Sequence, residues 1–342
     1  MRDRLQAIHP SAYFLDQADT KGLTAWLRHR ELLDDDEVVS RLAPAGDAIM
    51  NLTLRAELRE RSLIVKQARP WIEARPEERG PIDRALVEVR FYELIAHHPE
   101  ISARVPRLLG SNAESRLLVL QDLGEASDFS DLYRADFVYG EGEVEDLLDW
   151  LGRLHRLEVP DEALLVNGGM RELTHHQVFV EPMDPGNGLD YNAIRPGLGR
   201  LAEAMQQDGA FWRALRALGL RYMAPGRTLV HGDFFPGSFL RTDAGVRVID
   251  PEFAHLGMAE WDVGVFLAHF LLTCHDADTI PQVLDAYPAG PDFDPAVAKG
   301  FAGAELVRRI IGPAQLPIET ELGHLASLLD LAREWVRTTQ LN

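Results

Sequence analysis

The sequence predicts an α+β fold of two lobes, a small β-rich N-terminal lobe followed by a larger helical one. Three observations predict it. The length of 342 residues is about two domain units of roughly 150 residues, each able to bury a core of its own. Short strand-like runs cluster between Val38 and Gln67, with Leu52-Thr53-Leu54 alternating with polar neighbours, and a further strand follows at Arg116 to Leu120. Beyond Gly124 helical stripes dominate and persist. The boundary falls at Asp122-Leu123-Gly124, giving lobes of 1–122, with a helical N-terminal segment, and 123–342.

The elements follow in order. Residues 1–40 read as helical, Thr24-Ala25-Trp26-Leu27 continuing an amphipathic run and the acidic Asp34-Asp35-Asp36-Glu37 forming a solvated helix start rather than a metal site. Leu52-Thr53-Leu54 and Ser62-Leu63-Ile64-Val65-Lys66 read as strands, and so does Arg116-Leu117-Leu118-Val119-Leu120. Ile82 to His97 is a helix with Ala85, Val89 and Tyr92 on one face, and Glu143 to Leu157 carries the stripe Val144, Leu147, Leu148, Leu151, Leu154. Asn167-Gly168-Gly169 and Asp184-Pro185-Gly186-Asn187-Gly188 are turn signals. Phe239–Arg241 and Val246–Ile249 read as strands of a hairpin turning at Thr242-Asp243-Ala244-Gly245.

Composition narrows the function classes. The formal charge is −19, the pI about 5.0, and 46% of positions are hydrophobic against 26% charged. A surface this acidic repels phosphate backbones and anionic headgroups, and the sequence holds no basic patch to oppose that field. Neither nucleic acid nor a membrane is therefore an expected partner. The longest apolar stretch, Val263 to Cys274, is interrupted by His269 and is too short for a bilayer core of about 30 Å; it reads as a buried helix. One cysteine, Cys274, allows no internal disulfide and reads as an inert core thiol beside His275, and Met1-Arg2-Asp3-Arg4-Leu5 lacks a signal-peptide core, so a cytoplasmic location is expected.

The strongest chemical signal is His231-Gly232-Asp233-Phe234-Phe235-Pro236-Gly237-Ser238 followed by Asp250-Pro251-Glu252. The intervening hairpin is expected to return Asp250 to the loop that carries Asp233 and Ser238. Two carboxylates in that arrangement suit phosphoryl transfer: one orients a hydroxyl and takes its proton, the other holds magnesium against the phosphate oxygens. Asp233 is the expected base and Asp250 the expected metal ligand. Protein kinases place an Asn five residues after the base as a second ligand; here that position is Ser238, a weaker partner, and Glu252 is the candidate replacement.

On these motifs, with Lys66-Gln67-Ala68 in the first lobe, the chain resembles the aminoglycoside phosphotransferase-like small-molecule kinases over nearly its whole length, and among them most closely the methylthioribose kinases. The resemblance implies a protein-kinase-like fold, a nucleotide-binding first lobe, a second lobe carrying catalytic loop, metal site and acceptor site, and ATP with Mg²⁺ as cofactors. It implies transfer of a γ-phosphoryl group to a sugar-like hydroxyl, methylthioribose foremost. A kinase for another sugar, an aminoglycoside or an amino alcohol, and a silent nucleotide-binding regulator, stay open beside it. Lys66 at a strand end would grip the phosphates with Glu88 pinning it by an ion pair, although a strand-end lysine taken alone is commonly a surface residue. Gly46 to Asn51, including Asp47, would cover the phosphates as a loop poor in glycine. Gln121 and Leu123 would offer backbone groups to adenine. Asp262 would brace the catalytic loop from beneath. Phe234 and Phe235 would narrow the acceptor site.

Arg308 and Arg309 precede Gly312-Pro313. They suit the negative end of a helix, and they also resemble the twin arginines with which the family holds its sugar. About 100° separates helical neighbours, so one is expected to face the site fully. The adjacent pairs His97-His98 and His175-His176 lack the i, i+4 spacing of a metal site and read as surface structure. The partner expected is a small hydroxylated acceptor, with a homodimer as an open alternative.

Overall fold

A computed structural model of the chain describes residues 1–46, 48–134, 136–160, 163–273 and 276–339. Asp47, Cys274 and His275, on which expectations above rest, lie outside the described residues. The chain divides into two compact units, one of residues 1–127 with 242–253, the other of 128–241 with 254–342. The stretch 242–253, with Asp250 and Glu252, thus belongs to the first unit rather than to the helical one, where the sequence placed it.

In the first unit, α1 (Arg2–Gln6) and α2 (Thr20–His29) precede β1 (Arg41–Pro44), β2 (Leu52–Glu57) and β3 (Ser62–Gln67). Asp19 caps α2 by accepting from the Gly22 N–H at 2.8 Å. The acidic run 34–37 is a turn and not a helix start: the Glu37 carboxylate accepts from the Asp34 N–H and pairs with Arg61, which ties the segment to the sheet. Next come α3 (Arg84–Ile95), α4 (Pro99–Ser102), β4 (Leu108–Asn112), β5 (Leu117–Gln121) and the two-residue β6 (Ser127–Asp128). Among the described residues β1 to β5 form an antiparallel sheet in the order β1-β2-β3-β5-β4, with Lys66 opposite Thr53 and Leu118. Leu54, Ala56, Leu63, Val65, Leu117 and Val119 bury the alternating face of that sheet against Leu23 and Leu27 of α2. Of the predicted α3 stripe, Ala85 and Tyr92 are buried, but the buried face is not wholly apolar. It includes the charged Arg84 and Glu88, while Val89 is half-buried.

The second unit is mostly helical. It contains α5 (Glu143–His155), α6 (Gly168–Phe179), α7 (Tyr191–Ile194), α8 (Leu198–Gln206), α9 (Gly209–Met223), β7 (Thr228–Val230) and β8 (Phe239–Thr242). After β9 (Gly245–Val248), which belongs to the first unit, come β10 (His255–Gly257), α10 (Ala259–Leu272), α11 (Ile280–Ala286), α12 (Pro295–Ile311) and α13 (Leu322–Thr338). Gly168 and Gly169 open α6 rather than a turn; the turn geometry sits one residue earlier, in Asn167 at φ 45°. The α5 stripe packs as predicted, with Leu147, Leu148, Leu151 and Leu154 buried. Every residue from Glu260 to Leu272 is buried, as expected of a helix apolar nearly all round. It lies against α12, and β10 pairs antiparallel with β7, the strand that precedes the His231–Ser238 loop. Among the described residues no helix is long and apolar enough to cross a membrane.

Candidate active site

Two clusters carry the predicted residues, one in each unit. In the first, Lys66 ends β3 with its side chain buried, and its ammonium pairs with Glu88 of α3 at 2.8 Å and with Asp250. Burial alone would drive the ammonium pKa down, but Asp250, Glu88 and Glu252 outweigh it and hold Lys66 charged. Burial pushes Glu88 upward from the ordinary carboxylate range. Asp250 keeps its carboxylate 47% exposed and adopts φ 67°, a left-handed conformation that a non-glycine residue holds only when its surroundings impose it.

Glu252 and Asn51 lie elsewhere in that cluster than predicted. Glu252 is buried, and its Oε2 accepts from Asn51 Nδ2 at 2.7 Å and pairs with Arg84 Nε at 3.2 Å. Arg84, wholly buried, also donates to Asn51 Oδ1 at 2.8 Å and to the carbonyls of Met50, Arg69 and Pro81. Asn51 therefore turns inward from the loop, because Arg84 needs acceptors once it is out of water. Gly46 remains at the exposed end of the loop with φ 77°. At the end of β5 the Gln121 N–H is already taken by the Arg107 carbonyl at 2.9 Å, which leaves Leu123 as the free half of the predicted pair among the described bonds. The segment is stiffened by Asp122, whose carboxylate accepts from Arg55, Ser62 and the Gly124 N–H. Magnesium commonly binds through one or two carboxylates plus substrate phosphates rather than in an all-protein cage. The exposed Asp250 carboxylate fits that pattern, and the fastened Glu252 fits it less well.

In the second unit Asp262, the fourth residue of α10, accepts from the backbone N–H groups of His231 and Gly232 at 2.6 and 2.8 Å and bonds His155 Nε2 at 3.0 Å. Burial would raise its pKa, yet these hydrogen bonds with the nearby histidines hold it below the ordinary carboxylate range. The Trp261 indole donates to the Gly232 carbonyl at 2.9 Å, and the Ser238 hydroxyl donates to the Asp233 carbonyl at 2.8 Å. Asp233 is thus presented by a loop fastened on three sides. Its two following phenylalanines separate: Phe234 is core, stacked on Trp150 at 5.8 Å, and does not narrow an acceptor site, whereas Phe235 stacks under the Arg309 guanidinium at 5.0 Å.

Arg309 places its guanidinium 3.9 Å from Asp233 Oδ1, while Arg308 reaches Gln177 at 3.1 Å. Both are in the last turn of α12, yet both bond one buried carboxylate, Glu305. Sequence reasoning missed Glu305, although three and four residues is the helical spacing at which a carboxylate meets an arginine. It also missed Arg84, Tyr133, His155 and the partners of His269. The paired histidines 97–98 and 175–176 are exposed or half-buried.

The chain matches the phosphotransferase enzyme family (APH) over residues 41–301. Methylthioribose kinase of Bacillus cereus strain B4264 is 25% identical over 339 residues, covering 85% of this chain and 81% of that protein. Its counterpart from Bacillus cereus strain ZK / E33L is 26% identical with the same coverage. Among solved structures, choline kinase LicA from Streptococcus pneumoniae aligns with a TM-score of 0.51 at 13% identity, over 92% of this chain and 99% of that one. The gentamicin–APH(2'')-IIa complex aligns at 0.50 and 14%, over 95% and 96%. These two likenesses bear on the fold alone, which is the two-lobe α+β, protein-kinase-like class. With the family matched across most of the chain, this protein belongs to the phosphotransferase enzyme family and is an ATP-dependent small-molecule kinase with a hydroxyl acceptor.

Proposed function

We propose that this kinase phosphorylates a sugar-like acceptor, with 5-methylthioribose the leading candidate. The observation that carries the acceptor class is Arg309 fixed beside Asp233 and Phe235; the relatives named methylthioribose kinase support the particular sugar. The first unit is assigned the nucleotide. Lys66, pinned by Glu88, grips its phosphates, the Gly46–Asn51 loop lies over them, and the Leu123 backbone meets adenine. Asp250 would hold magnesium, which when bound would neutralise charge on the phosphate oxygens. Asp233 orients the acceptor hydroxyl and takes its proton as the oxygen bonds to the γ-phosphorus; the bond from that phosphorus to the β–γ bridging oxygen breaks, ADP leaves with the electron pair, and Arg309 offsets the charge that develops. Ser238 steadies the Asp233 loop, and Glu252 joins Arg84 and Asn51 in holding the segment that carries Asp250; neither is assigned to the metal.

The test is coupled ADP detection with a panel of hydroxylated acceptors under Mg-ATP. Turnover is expected with 5-methylthioribose well above the level with other pentoses, choline or aminoglycosides. Equal or greater turnover with an amino alcohol would sink the assignment of the acceptor.

A further inference from the structure

We propose that Glu305 is a positioning residue: anchored by His269 and Tyr133, it fixes Arg309 beside Asp233 and makes the acceptor site prefer uncharged hydroxylated molecules to cationic amino alcohols. This deepens the kinase reading and rests on it for the role of Asp233.

The Glu305 carboxylate has no contact with water. Glu305 is wholly buried in the middle of α12. Its Oε1 accepts from Arg309 Nε at 2.6 Å and from Arg308 at 3.2 Å, its Oε2 from Arg308 at 3.2 Å, and Oε1 lies 3.2 Å from His269 Nε2. The two guanidinium groups overcome burial and hold its pKa far below the ordinary range. An ionised carboxylate only accepts hydrogen bonds, so Nε2 of His269 carries the ring proton. Its Nδ1 is then an acceptor, and the Tyr133 hydroxyl, 2.6 Å away, donates to it. The chain Tyr133 → His269 → Glu305 runs in one direction, all three side chains are buried, and no polar hydrogen along it is free to choose another partner.

Arg309 is the end of this chain that reaches the reaction. With Nε committed to Glu305, its remaining nitrogens point to the Ala314 carbonyl and toward Asp233, over the Phe235 ring. Arg308 is held away, on Gln177. Among these described groups, two arginines are matched by Glu305 and Asp233 and His269 is neutral, so the cluster itself adds no surplus negative charge to attract an ammonium group. A cation brought to Asp233 must lie near Arg309, which already occupies that carboxylate's field. Sugar hydroxyls instead accept from the guanidinium and donate to Asp233.

The test measures acceptor binding apart from turnover. Calorimetric titration of the full chain with 5-methylthioribose and with choline should give the neutral acceptor at least about tenfold tighter binding. Glu305→Gln, which keeps volume and removes charge, should weaken the neutral acceptor about tenfold or more while Mg-ATP affinity stays within about twofold. Glu305→Asp keeps the charge but withdraws it by one methylene and should weaken acceptor binding likewise. Should either variant fail to fold, Tyr133→Phe removes one hydroxyl and should shift acceptor affinity in the same direction by about threefold. Choline binding as tight as the neutral acceptor, no binding of either, or acceptor affinity unchanged in the variants that fold would overturn the proposal. ADP release is followed in parallel: tight acceptor binding without ADP would defeat the kinase reading and leave the role of Glu305 intact.

Discussion

The His269 imidazole is neutral at pH 7, because burial, opposed by the hydrogen bond to Glu305 and reinforced by Arg309 and Arg308, brings its pKa down to about 4. In the unfolded chain the ordinary value near 6.5 returns. Between these values the unfolded state binds more protons, so stability rises with pH across that window and falls as the solution is acidified through it. The full effect is about 3 kcal/mol. Glu88, raised by burial, opposes this slope across much of the same window, so the test is the difference: denaturant titrations from pH 7 to 4 should show stability rising more with pH in the parent than in His269→Gln, and equal profiles would place His269 outside the linkage. Asp262 offers a second test. Asp262→Ala leaves the His231 and Gly232 N–H groups and His155 without their shared acceptor, and a loss of about 3 kcal/mol is expected. Urea unfolding that matches the parent would contradict it.

Helix α12 packs closely on its neighbours at glycines, Gly264 of α10 on one side and its own Gly300 and Gly303 on the other. A Cβ on Gly264 of α10 would stand 2.6 Å from Phe301 Cβ and 2.7 Å from the Ala298 carbonyl oxygen. Gly264→Ala gains helix propensity of about 1 kcal/mol, but the clash is with backbone that cannot turn aside, and overpacking costs about 1–3 kcal/mol. The melting temperature should therefore fall, and a rise would show that the two helices can separate without loss. Elements of this kind explain what the sequence disclosed. Strand β3 and the α5 stripe were legible because period 2 and period 3.6 record burial directly. Helix α3 was half legible: its span showed, but its buried face includes Arg84 and Glu88, whose burial depends on partners distant in sequence, Glu252 and Lys66. The same holds for Phe234 and Phe235, adjacent in sequence and divided between core and site by the turn that Asp262 and Ser238 impose. The pairing of Lys66 with Glu88 was legible because a family motif fixes the spacing of the two; the roles of Asp233, Asp250 and Lys66 in the chemistry are part of the proposal. Glu305 was half legible: its spacing to Arg308 and Arg309 is a local signal that was passed over, whereas its contact with His269 of α10 lies in no local pattern.

For the whole molecule, nucleotide and metal should act as a stabilising pair in a chain whose formal charge is −19. Ligand that binds only the folded state stabilises it by about 2.7 kcal/mol at 100 times its dissociation constant. Mg-ATP is expected to raise the melting temperature more than ATP with chelator. Asp250→Ala should abolish that difference, since the carboxylate proposed to hold magnesium is removed, whereas Glu252→Ala should lower the starting stability through loss of the Arg84 partner and keep part of the magnesium increment. If Glu252→Ala erases the increment as completely as Asp250→Ala does, Glu252 is a metal ligand after all.

The measurement nearest the central claim is made on Asp233→Asn. The amide keeps the shape of the side chain and cannot take the acceptor's proton. Mg-ATP binding by calorimetry and ADP formation with 5-methylthioribose should be measured on one preparation. Binding within about twofold of the parent, with turnover lower by about a thousandfold or more, is the expected result. Turnover near that of the parent would remove Asp233 from the chemistry and with it the account of how this site transfers a phosphoryl group.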